Sequence, residues 1–270
     1  MRRTAAPIAT LWAVRARRAA VLMLVPLATV VGCGSDSSDS GSQGANGVES
    51  KPPRAILADA AAAFRRVESF HLEGTQGAGK KATRVKADVG LPAKLRLTIG
   101  QGDAAATIIV VDRSLYIRAN AAFWKEQGAG QAGQQLAGRW LKTPAGSGEL
   151  QSVTKDLDPE TLASCLVKGH GTLENGGTTT VDGQEAVVIV DKGDRPGTAP
   201  GKLVVAATGE PLPLRTLATG AERPGGKKDP KCDDSTATRA GDEATFSDYN
   251  EPLDLSAPPG AVEVGSGTTS

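Results

Sequence analysis

Hydrophobic and polar residues alternate with a period of two along much of the chain between residues 83 and 119. In "TRVKADV" (83–89) and "KLRLTI" (94–99), a charged or hydroxyl side chain occupies every second position. Because successive side chains of a strand point to opposite faces, both stretches predict half-buried strands with one face in water. The stretch "ATIIVVDRSLYIRA" (106–119) predicts a hairpin that turns near Asp112 to Ser114. Its first arm is apolar on both faces, so its orientation is left open.

A helical spacing precedes these strands. Pro52-Pro53 is typical of a first helical turn, where the missing N–H has no intrahelical partner. The apolar positions that follow at helical spacing are Leu57, Ala60, Ala61, Phe64 and Val67. They predict one helix that ends near Ser69 and buries a single stripe, followed by a strand that begins in "SFHLEG".

The second half of the chain repeats the strand pattern after a helical insert. The stretch "GELQSVTKDLDPETLASCLV" predicts two short helices, the second opened by Pro159 with Asp158 as its cap. Asp182-Gly183 is typical of a tight hairpin. Further strands are predicted at 171–181, 184–191, 202–208, 212–219 and 244–249.

These elements predict an α+β fold with a large curved antiparallel sheet of about 10–11 strands, an unclosed half-barrel covered by helices. Aromatic residues make up only 3% of the chain, so the seam between sheet and helices is expected to leave a cavity of lipid size. The inward-facing residues predicted to line it contain no aromatic ring. They are Val85, Leu95, Leu97, Leu115, Ile117, Val187 and Ile189.

The first 33 residues have the pattern of an exported lipoprotein. Arginines at positions 2, 3, 15, 17 and 18 precede an uncharged apolar run at 19–31, which is too short for the ~20 residues of a membrane-spanning helix. The run ends in Val30-Val31-Gly32-Cys33, which resembles the bacterial lipobox, in which the cysteine is lipidated by diacylglycerol and becomes the mature N-terminus. The alternatives are an uncleaved anchor helix and an ordinary signal peptide with a chance cysteine.

The domain boundaries follow from this pattern. Residues 1–32 are predicted as the signal peptide. Residues 33–53 are predicted as the lipidated cysteine and a flexible tether, because the stretch 34–50 is rich in Ser, Gly, Asp, Asn and Gln and cannot repay the entropy of ordering. Residues 54–258 are predicted to form one domain, and residues 259–270 a disordered tail. The protein is therefore expected at the cell membrane, lipid-anchored on its extracytoplasmic face.

The two remaining cysteines, Cys165 and Cys232, are expected to form a disulfide in an oxidising compartment, with two free buried thiols as the alternative. Cys232 lies beside Asp229, Asp233 and Asp234, but no second cysteine or histidine has ligand spacing, so no metal site is predicted.

Composition and motifs argue against nucleic-acid binding and catalysis. The net charge is +1, which gives no electrostatic footprint for nucleic acid. Ser164, Cys165 and His170 are close in sequence, but there is no Gly-x-Ser-x-Gly elbow, and "GAGQAG" lacks the strand and lysine of a phosphate loop. We therefore expect no enzyme activity, no cofactor and no nucleic-acid partner.

Several short segments resemble actinobacterial lipoproteins of the LppX and LprG group. They are "SFH", "LYIRANAAFW", "LAGRWLKTP", "TGEPLPLR" and "TFSDYNEPLDLSAP", in this order after the first helix. The resemblance covers about residues 55–258 and implies a fold like that of the LolA and LolB carriers, an unclosed barrel with helices as a lid. It also implies binding of an acyl-chain ligand without catalysis, and it transfers no individual binding residue.

Two non-enzymatic functions follow. In the first, a monomeric domain shields the acyl chains of a lipid or lipoprotein as a carrier or chaperone. In the second, a domain filled by its own side chains is a tethered sensing or protein-interaction module of the cell envelope. Aliphatic inward positions favour the first and a bulky aromatic plug would favour the second. Trp124 and Trp140 either belong to a lid or anchor the insert against the sheet.

Overall fold

The first long helix, α1 (Pro53–Phe64), places its apolar stripe on the sheet. The computed structural model describes residues 44–77, 79–144, 157–226, 232 and 240–264. Pro53 occupies the first turn as predicted, and Ile56, Leu57 and Phe64 are at most 2% exposed. The helix ends at Phe64 and not near Ser69. A short turn follows it, in which the N–H of Val67 donates to the carbonyl of Phe64.

Three more α-helices lie within the described residues: α2 (Ala121–Glu126), α3 (Gly130–Leu136) and α4 (Pro159–Leu166). Helix α4 is confirmed with its predicted cap, since Asp158 accepts a hydrogen bond from the N–H of Thr161. The other short helix predicted in this insert lies mostly in residues 145–156, outside the described part of the chain. Helices α2 and α3 were not predicted, because they are short and α3 is rich in Gly and Gln.

Twelve strands of the described chain form one sheet with the order β12-β6-β5-β4-β3-β2-β1-β11-β10-β9-β8-β7. The strands are β1 (Ser69–Gln76), β2 (Thr83–Gly90), β3 (Lys94–Gln101), β4 (Ala104–Val111), β5 (Ser114–Ala119), β6 (Leu141–Pro144), β7 (Leu173–Val181), β8 (Gln184–Asp191), β9 (Gly201–Ala206), β10 (Pro213–Ala218), β11 (Glu243–Ser247) and β12 (Val262–Glu263). All neighbours are antiparallel except β12 and β6. The sheet has two edges, β7 and β12, so the predicted unclosed α+β architecture is confirmed, with slightly more strands than expected.

Both predicted hairpin turns are present. Asp112 and Arg113 have φ of 51° and 56°, and Asp182 and Gly183 have φ of 48° and 86°. Such pairs of positive φ angles match the right-handed twist of the flanking strands. They bring β4 against β5 and β7 against β8 as antiparallel neighbours.

The outer face of β4 and β5 is apolar and covered, which explains why the first arm of that hairpin is apolar on both faces. Ile109, Val111 and Tyr116 form a buried cluster with Leu255 of the C-terminal segment. After this contact, β12 pairs with β6, and Lys142 bonds to Glu263. The prediction of a disordered tail from residue 259 is therefore wrong for residues 259–264. A sequence of Pro, Gly and Val gave no sign that a strand partner was available.

The end of the predicted flexible tether is also folded. Ala45 pairs with Thr208, and Asn46 donates from its side chain to the carbonyl of Ala206. Val48, in a short 3-10 helix, is 1% exposed. The tether prediction is thus wrong for residues 44–53, because one valine among polar residues finds an apolar site on the sheet. Residues 1–43, with the predicted signal peptide and Cys33, lie outside the described residues.

Candidate ligand cavity

A cavity of about 300 Å³ lies between helices α1 and α4 and the inner face of β8, β9, β10 and β11. Strand register sets its floor, because Ile189 pairs with Leu203, Leu203 with Thr216, and Thr216 with Ala244. These four residues share one face of the sheet, and all four line the cavity. Helix α1 contributes Leu57 and Phe64, and helix α4 contributes Leu162 and Leu166.

An aromatic cluster forms the wall of the cavity on the side of β1. The ring of Phe64 lies 5.2 Å from that of Phe70 and 5.9 Å from that of Phe246, and Tyr249 packs edge-on at 6.0 Å. Phe64 and Phe246 line the cavity themselves. The expectation of an interior without aromatic rings is therefore wrong, because these four of the nine aromatic residues of the chain fill one side of it. Burial raises the pKa of the Tyr249 hydroxyl well above its ordinary value, and this hydroxyl donates to the carbonyl of Pro213.

The cavity has one polar end, which we call the mouth. Asp191, Gly201 and Ala218 end the inner rows of their strands there, with Asp191 opposite Gly201 and Gly201 opposite Ala218. One oxygen of Asp191 accepts from the N–H of Gly193 at 2.8 Å, and the other lies 2.8 Å from Nδ1 of His170. These bonds tie the segment after α4 to the end of β8.

His170 joins two elements at the mouth. Its Nε2 donates to the carbonyl of Leu166 at 2.8 Å, and its Nδ1 faces Asp191. Both ring nitrogens are thus engaged. Ser164 donates to the carbonyl of Thr161, and Cys165 is disulfide-bonded. The three residues weighed as a catalytic set therefore form no nucleophile and base pair.

The predicted disulfide between Cys165 and Cys232 is present, with the two cysteines 67 positions apart. Cys165 belongs to α4, and both cysteines line the cavity near its mouth. The bond therefore fixes α4, which covers the cavity, to a distant part of the chain. No group of three potential metal ligands is found among the described residues.

Of the seven residues predicted to line the cavity, Ile189 alone does so. Val187 lies below it in a packed cluster with Val48 and Val205. Ile117 is half-buried between Ile108 and Leu141. The other four belong to the packed cluster around Phe64 and Phe70: Val85, Leu95, Leu97 and Leu115.

The physical reason is that the C-terminal end of α1 and the phenylalanine rings fill the space over β2 to β5, whereas the hollow part lies under the rest of α1, over β8 to β11. The cavity residues Leu72, Leu162, Leu203 and Phe246 were not predicted. Alternation did not reveal Leu203 because β9 is apolar on both faces. The Asp182-Gly183 turn was the signal that could have located this cavity. It fixes the register of β8, and β8 places Ile189 opposite Leu203.

Neither tryptophan considered for a lid lines the cavity. Trp124 lies against α3 at Gly133, where an added Cβ would come within 2.6 Å of the Trp124 Cβ. Trp140 packs on the outer cluster, with the guanidinium of Arg118 4.7 Å from its ring centre. Within the described ranges, no helix is long and apolar enough to cross a bilayer.

Comparison with known proteins gave similarities to solved structures only. No protein-family model and no curated protein matches the chain. LprF from Mycobacterium bovis is 13% identical with a TM-score of 0.48, over 76% of this chain and 96% of that one. The Mycobacterium tuberculosis lipoprotein LppX is 15% identical with a TM-score of 0.44, over 76% and 98%. An uncharacterized conserved protein from Thermus thermophilus is 11% identical with a TM-score of 0.34, over 78% and 97%.

LppX gives its name to the group that the sequence resembles, so the predicted resemblance is confirmed as a similarity. The identities are low and the TM-scores are below 0.5. The function proposed next therefore rests on the cavity of this chain.

Proposed function

We propose that this protein is an exported, membrane-anchored lipoprotein that binds an acyl-chain lipid between its sheet and its helices and carries it without chemical change. The observation that carries the proposal is the cavity itself, whose floor and roof are largely leucine, isoleucine and phenylalanine side chains. Apolar cavities with a few polar groups at one end are typical ligand sites. Among the described residues of the mouth, none is arranged as a nucleophile with its base.

The second candidate, a tethered sensing or interaction module with a filled core, is favoured by the aromatic cluster. Phe64, Phe70 and Phe246 fill the interior next to β1 and β2. The same rings leave the space over β8 to β11 open, where a ligand of limited size has room. For this reason we place lipid binding first.

Lipid binding is tested by organic extraction of the purified protein followed by mass spectrometry. We expect acyl lipid in the extract of the unaltered protein. Ala244→Leu adds three carbons on the cavity floor and is expected to lower the recovered lipid several-fold, because the added side chain takes up cavity volume. Thr245→Leu, on the opposite face of the same strand, is the matched control and should leave the recovery unchanged. An extract free of lipid from the unaltered protein would favour the filled-core module.

Anchoring is tested separately at Cys33. A diacylglycerol on this cysteine supplies the two chains that durable membrane attachment requires. We expect Cys33→Ala to release the protein from the membrane fraction or to leave its signal peptide uncleaved, as followed by fractionation and intact-mass measurement. Acylation that persists in the variant would contradict the anchor, whatever the cavity binds.

A further inference from the structure

The two ends of the cavity differ, one being packed with valine side chains and the other lined by polar residues. At the packed end, Val187 and Val205 are 1% and 0% exposed, and Val48 packs over them. The phenylalanine wall closes the side toward β1. The polar end beside Asp191, Gly201 and Ala218, where the inner rows of the strands end, is the remaining side, and we take it as the entrance.

The charged side chains of the described cavity lining gather at this opening. The Asp191 carboxylate is held there by two backbone N–H groups, from Gly171 and Gly193, and by His170. Four residues deeper along β9, at about 13 Å from Gly201, the inner face is valine. A molecule that fits this gradient has a polar head at the mouth and an apolar tail toward Val205.

The volume limits the tail to a single chain. An engineered apolar cavity of about 150 Å³ binds one benzene, which has six carbons. The cavity of about 300 Å³ has room for twice as much, or about twelve carbons. Lipids with two or three long chains exceed this volume, and the packed cluster around Phe64 and Phe70 fills the β2 side, where a second chain would have to lie.

We infer that the ligand of this cavity is a single-chain amphiphile, a fatty acid or a monoacyl lipid, whose tail of about twelve carbons points toward Val187 and Val205 and whose head stays at the Asp191 end. This assignment rests on the proposed function and adds to it the number, length and direction of the bound chain. The head can be a free carboxylate or a phosphate-bearing group, because the charged residues of the lining are two lysines, Lys168 and Lys202, and two acids, Asp191 and Glu222, so that Asp191 is not an unbalanced negative charge there.

The test is a chain-length series measured by calorimetry on the purified full-length protein after removal of bound lipid. Fatty acids of 8 to 18 carbons and monoacyl phosphatidylcholines of the same lengths are used below their micelle concentrations. Affinity is expected to rise about fourfold per methylene. It should level off near twelve carbons in both series, because further methylenes remain outside the cavity. The series with the higher affinity at equal length identifies the head.

Ala244→Leu is expected to move this plateau to shorter chains by about three carbons, the number that the substitution adds. Thr245→Leu should leave it unchanged. A circular dichroism melt of each variant confirms that both are folded.

The possible failures are distinguishable. If no chain of any length binds, both the proposed function and this assignment are wrong. If affinity continues to rise to 18 carbons, or if a phospholipid with two 12-carbon chains binds as tightly as its monoacyl counterpart, lipid binding stands and the single-chain assignment is overturned. A plateau that differs between the two head groups also overturns it, because the cavity would then not set the length.

Discussion

Phe64→Ala is expected to lower the free energy of unfolding by about 3–5 kcal/mol, the range for large-to-small changes at buried aromatic positions. Phe64 is 1% exposed, and its ring contacts those of Phe70, Phe246 and Tyr249. The loss of unfolding free energy is expected at the upper end of this range because α1 meets the sheet through this ring. The cavity beside Phe64 also leaves few neighbouring side chains that could move into the space left by the ring. Domains of this kind are stable by only about 5–15 kcal/mol, so the variant should unfold at markedly lower denaturant concentration.

Chemical denaturation followed by circular dichroism measures this effect. The matched control is Phe123→Ala in α2, a half-buried ring that contacts Trp124 alone among the aromatic pairs described, and it should lose less than half as much. The loss of unfolding free energy for Phe64→Leu should lie between the losses for Phe64→Ala and Phe123→Ala. Equal losses at Phe64 and Phe123 would mean that the Phe64 cluster is not the central packing contact of the fold.

Removal of the Cys165–Cys232 bond is expected to cost about 4 kcal/mol of unfolding free energy, because it closes a loop of 67 residues. The double variant Cys165→Ala, Cys232→Ala should therefore unfold earlier than the unaltered protein. It should also bind acyl chains more weakly, since α4 covers the cavity and loses its covalent link beside the mouth.

A reducing agent provides the control for this experiment. It should shift the unfolding curve of the unaltered protein toward that of the double variant and leave the variant's own curve unchanged. Thiol labelling of the folded, unreduced protein should find neither cysteine reactive. An unfolding midpoint that is the same with and without the bond would show that the unfolded chain gains little freedom from its loss.

Most of the framework was predictable because local rules and tertiary packing agree in it. Alternation identified β2 and β3, the turns at Asp112-Arg113 and Asp182-Gly183 identified the β4–β5 and β7–β8 hairpins, and a proline with a capping aspartate identified α4. In each case the local preference and the final environment select the same conformation, which is the condition under which sequence patterns are reliable.

The errors lie where a segment takes its structure from a distant partner. Val48 is a single apolar residue in a polar stretch and Leu255 lies in a proline-containing one, and each is ordered by a site on the sheet far away in sequence. Strand β12 forms only because β6 offers a free edge. Such contacts leave no periodic signal in the segment itself.

The cavity was predicted to exist but was placed over the wrong part of the sheet. Val85, Leu95 and Leu97 do face inward as alternation requires, but the inner space above them is filled. Which part of the sheet is covered depends on where α1 crosses it and where Phe64 points, and neither follows from strand periodicity. The aliphatic run in β9 does not show which of its residues face inward, because both sides of this strand are buried. The same holds for β4.

The docking of residues 45 and 46 beside Thr208 has a practical consequence for anyone who handles this protein. Thr208 follows β9 at the end opposite Gly201, about 20 Å away along the strand. An affinity tag or a biosensor surface joined upstream of Gly44 therefore attaches at the far pole from the opening. Immobilisation through that terminus leaves the entrance facing the flowing sample, which is the arrangement that kinetic measurements of ligand uptake require.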